Sequence, residues 1–264
     1  MRLLNKIFKK FRKIYTVFYS KFIFDKEKVK QEESFKFSKL GIDENKSEKH
    51  LNKILNKKIG RNYNPAIDSV HWKLFSGISL LKNDIKEILE IGTYDGFFTE
   101  LLSELFPNAK ITTIDLPLDD PLMKNFYGRN DDDLISKFIK TQKSNTRSEN
   151  INVIKTNSFF FNSKIKSDKK YDLIWVDGGH LYPEIAWDLC NAYNRLNSNG
   201  LMCCDDIIRT DKNFKTKYVS NESWKVLNYL DERIDNKNIY FLKRTNGKSY
   251  CYSFSRKYVS YLLK

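Results

Sequence analysis

Five short apolar runs alternate with helical segments and turns between residues 87 and 205, and this alternation limits the fold more than any other feature. We predict strands at 87–91, 110–115, 151–155, 171–177 and 200–205, with helices near 97–106, 134–142 and 182–196. Helices placed between apolar strands connect parallel neighbours, because a parallel connection has to cross over the sheet. The sequence therefore predicts an α/β fold with a mostly parallel sheet and helices on both of its faces.

The C-terminal part predicts an antiparallel end to this sheet. A helix near 222–233 precedes two apolar runs at 238–243 and 249–254. Asn246 and Gly247 lie between the two runs, and both residues tolerate positive φ, which favours a tight hairpin turn. We therefore expect a Rossmann-like arrangement of seven strands whose last two form an antiparallel hairpin.

Half of the net charge of the chain lies at its N-terminus. The 264 residues carry a formal charge of +14, and residues 1–24 contain seven Lys and Arg but no Asp or Glu. Apolar residues such as Phe11, Tyr15 and Phe18 recur there at three- and four-residue spacing, which places them on one face of a helix with the basic residues opposite. A basic amphipathic helix of this kind is typical of an anchor on an anionic membrane surface or of a helix that binds a protein partner.

A second interpretation of this helix is that it packs its apolar face on the main domain and leaves its lysines solvated. No apolar run reaches the roughly 18 residues that a membrane span needs, and basic residues interrupt every stretch that could serve as a signal peptide. Because the charge is local, nucleic-acid binding is disfavoured. Residues 25–60 are rich in Lys, Glu and Asn, so we expect 1–60 to form a helical extension and connector and 61–264 to form the main domain.

The cysteine pattern indicates structural thiols. The four cysteines are Cys190, Cys203, Cys204 and Cys251, and none belongs to a Cys-x-x-Cys pair. Cys203 and Cys204 are adjacent, so they should point to opposite faces of the predicted strand. We therefore expect a reducing, cytoplasmic location, with peripheral attachment to a membrane as a further option.

The first predicted strand runs directly into a turn that contains Gly92 and Gly96, and then into a helix. Glycines here allow a tight turn and a close approach of a ligand to the backbone, while the helix N-terminus offers free N–H groups. The second strand ends about twenty residues later at Asp115, where a carboxylate can bind both hydroxyls of a ribose. Ordinary turn glycines and a strand-end carboxylate are the alternative interpretation.

These residues resemble a known family. The run 88–96, followed by 111–115, looks like motifs I and II of the class I S-adenosylmethionine-dependent methyltransferases, and the predicted hairpin is similar to their antiparallel seventh strand. The runs 172–182 and 199–206 resemble the branch that includes macrocin-type sugar O-methyltransferases and cephalosporin-hydroxylase-like proteins. The resemblance covers roughly residues 66–255 and leaves 1–60 outside.

The resemblance implies a set of residues that bind S-adenosylmethionine. Glu90 and Gly92 would line the methionine end of the cofactor, and Asp115 would hold the ribose. Asn157 and Ser158 stand where the family often has an acidic residue near the adenine edge, and an Asn amide could still pair there. The full set of implied cofactor residues is Glu90, Gly92, Thr93, Gly96, Asp115, Asn157 and Ser158.

Three aspartates follow the fourth and fifth predicted strands, at the edge where open α/β sheets bind ligands. In the sugar O-methyltransferases that this stretch resembles, aspartates at the positions of Asp177, Asp205 and Asp206 hold a divalent metal. Carboxylates suit Mg²⁺-type cations, and such an ion could lower the pKa of a substrate hydroxyl. The alternative is that these acids are common strand-end residues, with Asp206 capping the following helix.

His180 is the candidate general base. It follows Asp177 and two glycines in a turn that could direct its ring into the crevice, where Asp177 would assist it. A turn-stabilising or substrate-contacting role is the alternative.

We therefore predict methyl transfer from S-adenosylmethionine to a hydroxyl of a small, sugar-like acceptor, such as part of a polysaccharide or natural product. Nucleobase amino-methyltransferases that resemble this fold usually carry Asn/Asp-Pro-Pro-aromatic after the fourth strand. This chain has Asp-Gly-Gly-His at positions 177–180 instead, which favours an oxygen acceptor. Two alternatives stay open. One is an RNA acceptor, for which the basic balance would supply the electrostatic attraction. The other is a non-catalytic, membrane-recruited binding module on the same fold.

Overall fold

The computed structural model describes residues 2–125, 131–234, 238–247 and 256–264. Asp25 and Asp43 begin the second and third helices as N-cap residues, because each carboxylate accepts a hydrogen bond from a backbone N–H three residues further on. The helices that precede the sheet are α1 (Arg2–Phe22), α2 (Lys26–Lys39), α3 (Glu44–Ile59) and α4 (Val70–Leu81).

The sheet of the described chain has seven strands in the order β3-β2-β1-β4-β5-β7-β6. The first five run parallel to their neighbours, and β7 pairs antiparallel with both β5 and β6. The predicted Rossmann-like, mostly parallel sheet with an antiparallel end is confirmed. The strands are β1 (Glu87–Ile91), β2 (Lys110–Asp115), β3 (Ile151–Lys155), β4 (Tyr171–Val176), β5 (Leu196–Ile207), β6 (Ile239–Leu242) and β7 (Tyr258–Leu263).

Both faces of the sheet are covered by helices, because successive strand residues point to opposite sides. Cys203 packs with Trp175 and with apolar residues of α3, α4 and α5 on one face. Cys204 packs with apolar residues of α9 and α10 on the other face, as the adjacent positions predicted. The remaining helices are α5 (Phe97–Leu105), α6 (Pro121–Asn125), α7 (Asp132–Asn145), α8 (Phe161–Lys164), α9 (Glu184–Arg195) and α10 (Glu222–Ile234).

Helices α2 and α3 pack against the sheet, although the sequence suggested a connector there. Leu51 and Leu55 of α3 are fully buried in the same core as the strands. On α2, the ring of Phe37 lies 4.8 Å from that of Phe241 in β6. The Glu33 carboxylate also accepts a hydrogen bond of 2.9 Å from the backbone N–H of Leu242, at the edge of the sheet.

The antiparallel pair at the end of the sheet is formed by a later segment than predicted. Strand β6 lies within the predicted run 238–243, but its partner is β7, whereas the predicted strand 249–254 lies outside the described residues. Val259 and Leu262 of β7 are buried, so core burial and not the local turn preference of Asn246 and Gly247 determines the pairing.

Helix α1 displays an apolar stripe to solvent. Phe11, Phe18 and Phe22 are between 51% and 73% exposed. Near its C-terminal end, Ser20 lies against Gly247 of the loop after β6. Within the described part of the chain, no helix combines the length and the apolar character that crossing a membrane requires.

Candidate active site

The turn between β1 and α5 brings the backbone of two strand ends into contact. Gly92 has φ +104 and Gly96, the N-cap of α5, has φ +78, so both adopt conformations that favour glycine. A Cβ on Gly92 would lie 2.6 Å from the carbonyl carbon of Asp177 and closer still to its oxygen. The absence of a side chain at Gly92 thus allows the ends of β1 and β4 to meet, and the close approach of a ligand at this turn stays a prediction.

Glu90 lies buried beneath this turn. Its Oε2 accepts hydrogen bonds from the hydroxyls of Thr99, at 2.5 Å, and Thr113, at 2.6 Å. Burial raises the pKa of Glu90 to about 8; the two threonine hydrogen bonds oppose this shift, and the negative charges of Asp177 and Asp115 add to it. A carboxyl group in this position favours a cationic ligand, which would stabilise its ionised form.

We expect the raised pKa of Glu90 to make the unliganded protein less stable as pH increases. The folded state holds a proton that the unfolded state releases near the ordinary pKa of 4.5, so stability falls between about pH 4.5 and about pH 8. The loss is at most roughly 5 kcal/mol. Urea unfolding across this range should show that the free energy of unfolding declines less with pH in Glu90→Gln than in wild type. The exposed control Glu149→Gln should decline like wild type. If the free energy of unfolding changed equally with pH in wild type and Glu90→Gln, the raised pKa of Glu90 would be contradicted.

Asp115 lies at the end of β2, where the ribose was predicted to bind. Its Oδ2 accepts a hydrogen bond of 2.8 Å from the amide of Gln142 in α7, and Lys155 Nζ lies 3.5 Å away. Gln142 also donates to the carbonyl of Tyr94 in the glycine turn. The C-terminal end of α7 therefore contacts both the glycine turn and the predicted ribose carboxylate, a contact that the sequence did not indicate.

Asn157 and Ser158 lie just past β3, as predicted, and both take part in local structure. The side chain of Asn157 accepts a hydrogen bond from the Phe159 N–H at 3.0 Å and so caps a 3-10 turn. The carbonyl of Ser158 accepts one from the Trp187 indole of α9, also at 3.0 Å. The amide NH₂ of Asn157 remains the group that could meet an adenine edge.

A cavity of about 430 Å³ opens beside the glycine turn. It brings Glu90, Gly92, Thr93 and Asp177 of the predicted set together. Aromatic side chains form much of the remaining wall. The other lining residues are Ile59, Arg61, His71, Trp72, Tyr94, Asp95, Phe97, Phe98 and Trp175.

The sequence reasoning missed the contribution of the N-terminal helices to this cavity. His71 and Trp72 of α4 line it, and so does Ile59 at the end of α3. The His71 ring lies 4.4 Å from that of Phe98 and 4.6 Å from that of Trp175. Burial holds the pKa of His71 well below its ordinary value, so the imidazole is neutral. Within the described chain its Nδ1 has no hydrogen-bond partner, which leaves a polar atom for a ligand.

Asp177 and His180 form a contact pair at the end of β4. His180 Nε2 lies 3.2 Å from Asp177 Oδ1, and Asp177 is the member that lines the cavity. Burial alone would lower the pKa of His180, but the hydrogen bond with Asp177 and the charges of Asp177, Asp206 and Asp205 outweigh burial and raise it. The pair is therefore a stronger base than an isolated histidine.

The carboxylates predicted to bind a metal already have cationic partners. Lys243 Nζ contacts Oδ2 of Asp205 and lies 2.6 Å from Oδ1 of Asp206, and Lys257 Nζ contacts Oδ2 of Asp206. Within the described residues there is no group of three or more His, Cys, Asp or Glu that could hold a metal ion. The donor set does not fit a divalent cation, because the Lys243 ammonium contacts both Asp205 and Asp206, and Lys257 contacts Asp206, which leaves only Oδ1 of Asp205 without a hydrogen-bond partner on these two aspartates among the described residues.

A comparison with family models finds a match in the middle of the chain. A family model described as a methyltransferase domain matches residues 89–207, a span that includes the glycine turn, Asp115, Asp177 and the end of β5. No curated protein matches the sequence.

Two solved structures show the same overall fold. The O-methyltransferase TomG of Streptomyces achromogenes, involved in tomaymycin synthesis and solved in complex with S-adenosylmethionine, is 13% identical, with a TM-score of 0.51. That comparison covers 92% of this chain and 100% of TomG. A Klebsiella pneumoniae protein assigned as an O-methyltransferase is 12% identical, with a TM-score of 0.50, covering 81% of this chain and 96% of that protein.

Proposed function

We propose that residues 89–207, which match the methyltransferase-domain family model, form a class I, S-adenosylmethionine-dependent methyltransferase domain, and that the chain methylates a hydroxyl oxygen of a small, sugar-like acceptor. One observation carries the proposal. The Asp177–His180 pair places a base at the wall of the same cavity that contains Glu90 and the glycine turn.

The residues around the glycine turn fit S-adenosylmethionine. The cofactor supplies a methyl group activated by a sulfonium centre. It also carries an ammonium group. The negative charges of Asp115 and Asp177 suit both cations, and a cation bound beside Glu90 would favour the ionised form of that carboxyl group. Gly92 and the partly buried ring of Phe98 line the cavity, and an aromatic ring attracts a sulfonium group.

The chain's own residues then position the acceptor and take its proton. Asp177 lines the cavity, so its carboxylate is the group that meets the acceptor hydroxyl. As the oxygen bonds to the methyl carbon and the carbon–sulfur bond breaks, the hydroxyl proton passes to the Asp177–His180 pair. His180 retains it, because the neighbouring carboxylates stabilise the imidazolium. Alignment of the two reactants in one cavity contributes the rest of the rate enhancement.

Transfer of labelled methyl from S-adenosylmethionine tests the proposal. The purified full chain is incubated with panels of hydroxyl-bearing sugars, of amines and of short RNAs, and label is measured in each product. We expect incorporation into a hydroxylated acceptor, as an ether that resists mild alkali. Incorporation into RNA or amines alone would overturn the proposal, as would failure of the chain to bind S-adenosylmethionine.

We further propose that α1 docks this cytoplasmic enzyme on an anionic membrane surface. The apolar stripe of Phe11, Phe18 and Phe22 is exposed. Lys13 lies on the opposite side of the helix and Lys10 lies beside the stripe, and both lysines are exposed. Such a helix lies in the interface with its apolar face among the acyl chains, and each nearby Lys or Arg adds about 1 kcal/mol on anionic lipid.

Sedimentation with lipid vesicles should show this docking directly. We expect the full chain to pellet with vesicles that contain about 30% anionic lipid and to bind neutral vesicles roughly tenfold more weakly. Phe11→Ser/Phe18→Ser should lose the binding, whereas Leu134→Ser, an exposed apolar residue on α7, should keep it. Equal sedimentation of wild type and the double variant would contradict membrane docking and favour a protein partner.

A further inference from the structure

Two lysines reach the carboxylate end of the sheet because of its topology. Strand β6 is antiparallel to β7, which is antiparallel to β5, so β6 ends at the same edge as β5 and β7 begins there. Lys243 directly follows β6 and Lys257 directly precedes β7. Both side chains therefore arrive where Asp205 and Asp206 leave β5.

The backbone of β5 is shaped so that both aspartates meet the same ammonium group. Successive strand residues normally point to opposite faces, but the pairing of β5 with β7 is irregular between Cys204 and Ile207. Asp206 adopts φ +53, a left-handed conformation that is uncommon for residues other than glycine and more accessible to Asp. As a result the carboxylates of Asp205 and Asp206 both contact Lys243 Nζ.

The cluster is also close to balanced in charge. Lys243 and Lys257 face Asp205 and Asp206, and His180 faces Asp177. The side chains of Asp205 and Lys243 are largely buried, at 2% and 15% exposure. A divalent cation placed among them would meet a buried ammonium at short range, and that repulsion is weakly screened in a buried site.

We propose that Lys243 is a built-in cation that takes the place of a divalent metal at the ends of β4 and β5. The site works without added metal, and the carboxylates keep their positions through the two lysines. Removing the Lys243 ammonium frees the carboxylates of Asp205 and Asp206, which both contact it, to bind a divalent cation. This inference goes beyond methyl transfer and does not depend on the identity of the acceptor.

Binding of Mn²⁺, followed by loss of the free-ion electron paramagnetic resonance signal, tests the proposal on the full chain without any activity assay. We expect wild type to bind no Mn²⁺ at this site up to the millimolar range. Lys243→Met should bind one ion with a Kd on the order of 10–100 μM, typical of a site built from several carboxylates. Adding Asp206→Asn to Lys243→Met should abolish that binding.

The control is Lys225→Met, which removes the exposed ion pair with Glu222 and should gain no Mn²⁺ binding. If Lys243→Met does not fold, Lys243→Gln, which keeps a polar contact to the aspartates, serves in its place, and thermal unfolding identifies the folded variant. Micromolar Mn²⁺ binding by wild type that is lost in Asp206→Asn would overturn the proposal. So would a folded Lys243 variant that gains no Mn²⁺ site.

Discussion

Gly92→Ala should abolish S-adenosylmethionine binding, with a loss of affinity of at least about 100-fold by isothermal titration. The added Cβ would overlap the carbonyl of Asp177, so the β1 and β4 ends would have to move apart. Overpacking of this kind costs about 1–3 kcal/mol, and positive φ for alanine adds roughly 1–2 kcal/mol. Because Gly92 and Asp177 line the cavity in which we propose that the cofactor binds, we expect binding and stability to fall together.

A second glycine separates these two effects. Gly41 has φ +69, but a Cβ there would meet no atom within 4 Å. Gly41→Ala should therefore lose only the roughly 1–2 kcal/mol of backbone strain and bind S-adenosylmethionine like wild type. If Gly92→Ala retained affinity within threefold, the glycine turn would not be the cofactor site.

His180→Ala should lower the rate of methyl transfer by about 10²–10⁴-fold once an acceptor is identified, which is the usual contribution of a general base. The affinity for S-adenosylmethionine should change by less than threefold, because the glycine turn stays intact. In wild type the rate should rise with pH and level off above the pKa of His180, which its carboxylate neighbours raise above the ordinary 6.5. That rise should disappear in the variant.

His50→Ala is the matched control for this prediction. His50 lies on α3, is half-buried, and has a pKa lowered by burial and by Lys53. Its removal should leave both the rate and the pH profile unchanged. An unchanged rate in His180→Ala would show that His180 is not the general base. A large loss of cofactor affinity in that variant would indicate a structural role instead.

Much of the fold could be predicted from the sequence because its strands are short, buried and bounded by turns. Strands β1, β2 and β3 have the predicted bounds, since apolar runs of five or six residues between polar segments have little freedom to shift. The partner of β6 was misplaced, because the strong turn signal at Asn246 and Gly247 is local whereas strand pairing depends on burial in the whole sheet.

The candidate site could be predicted only where a local pattern marks it. Glu90 lies in β1, Gly92 directly follows it and Asp177 directly follows β4, all in recognisable runs, and the structure brings them to one cavity. No local pattern singles out Lys243, which is one of 47 basic residues and contacts Asp205, a residue 38 positions away in the sequence. His71 was likewise hidden, because only tertiary packing turns the first residues of α4 toward the cavity.

The contact between Glu33 and the Leu242 N–H covers part of the edge of the described sheet. Strand β6 is the last in the sheet, and an edge strand with free N–H groups is a template on which other chains can add strands. Helix α2 occupies part of that edge with a buried carboxylate and the ring of Phe37. A fragment that begins at residue 61 would uncover this edge, so α2 acts as a guard against edge-to-edge aggregation.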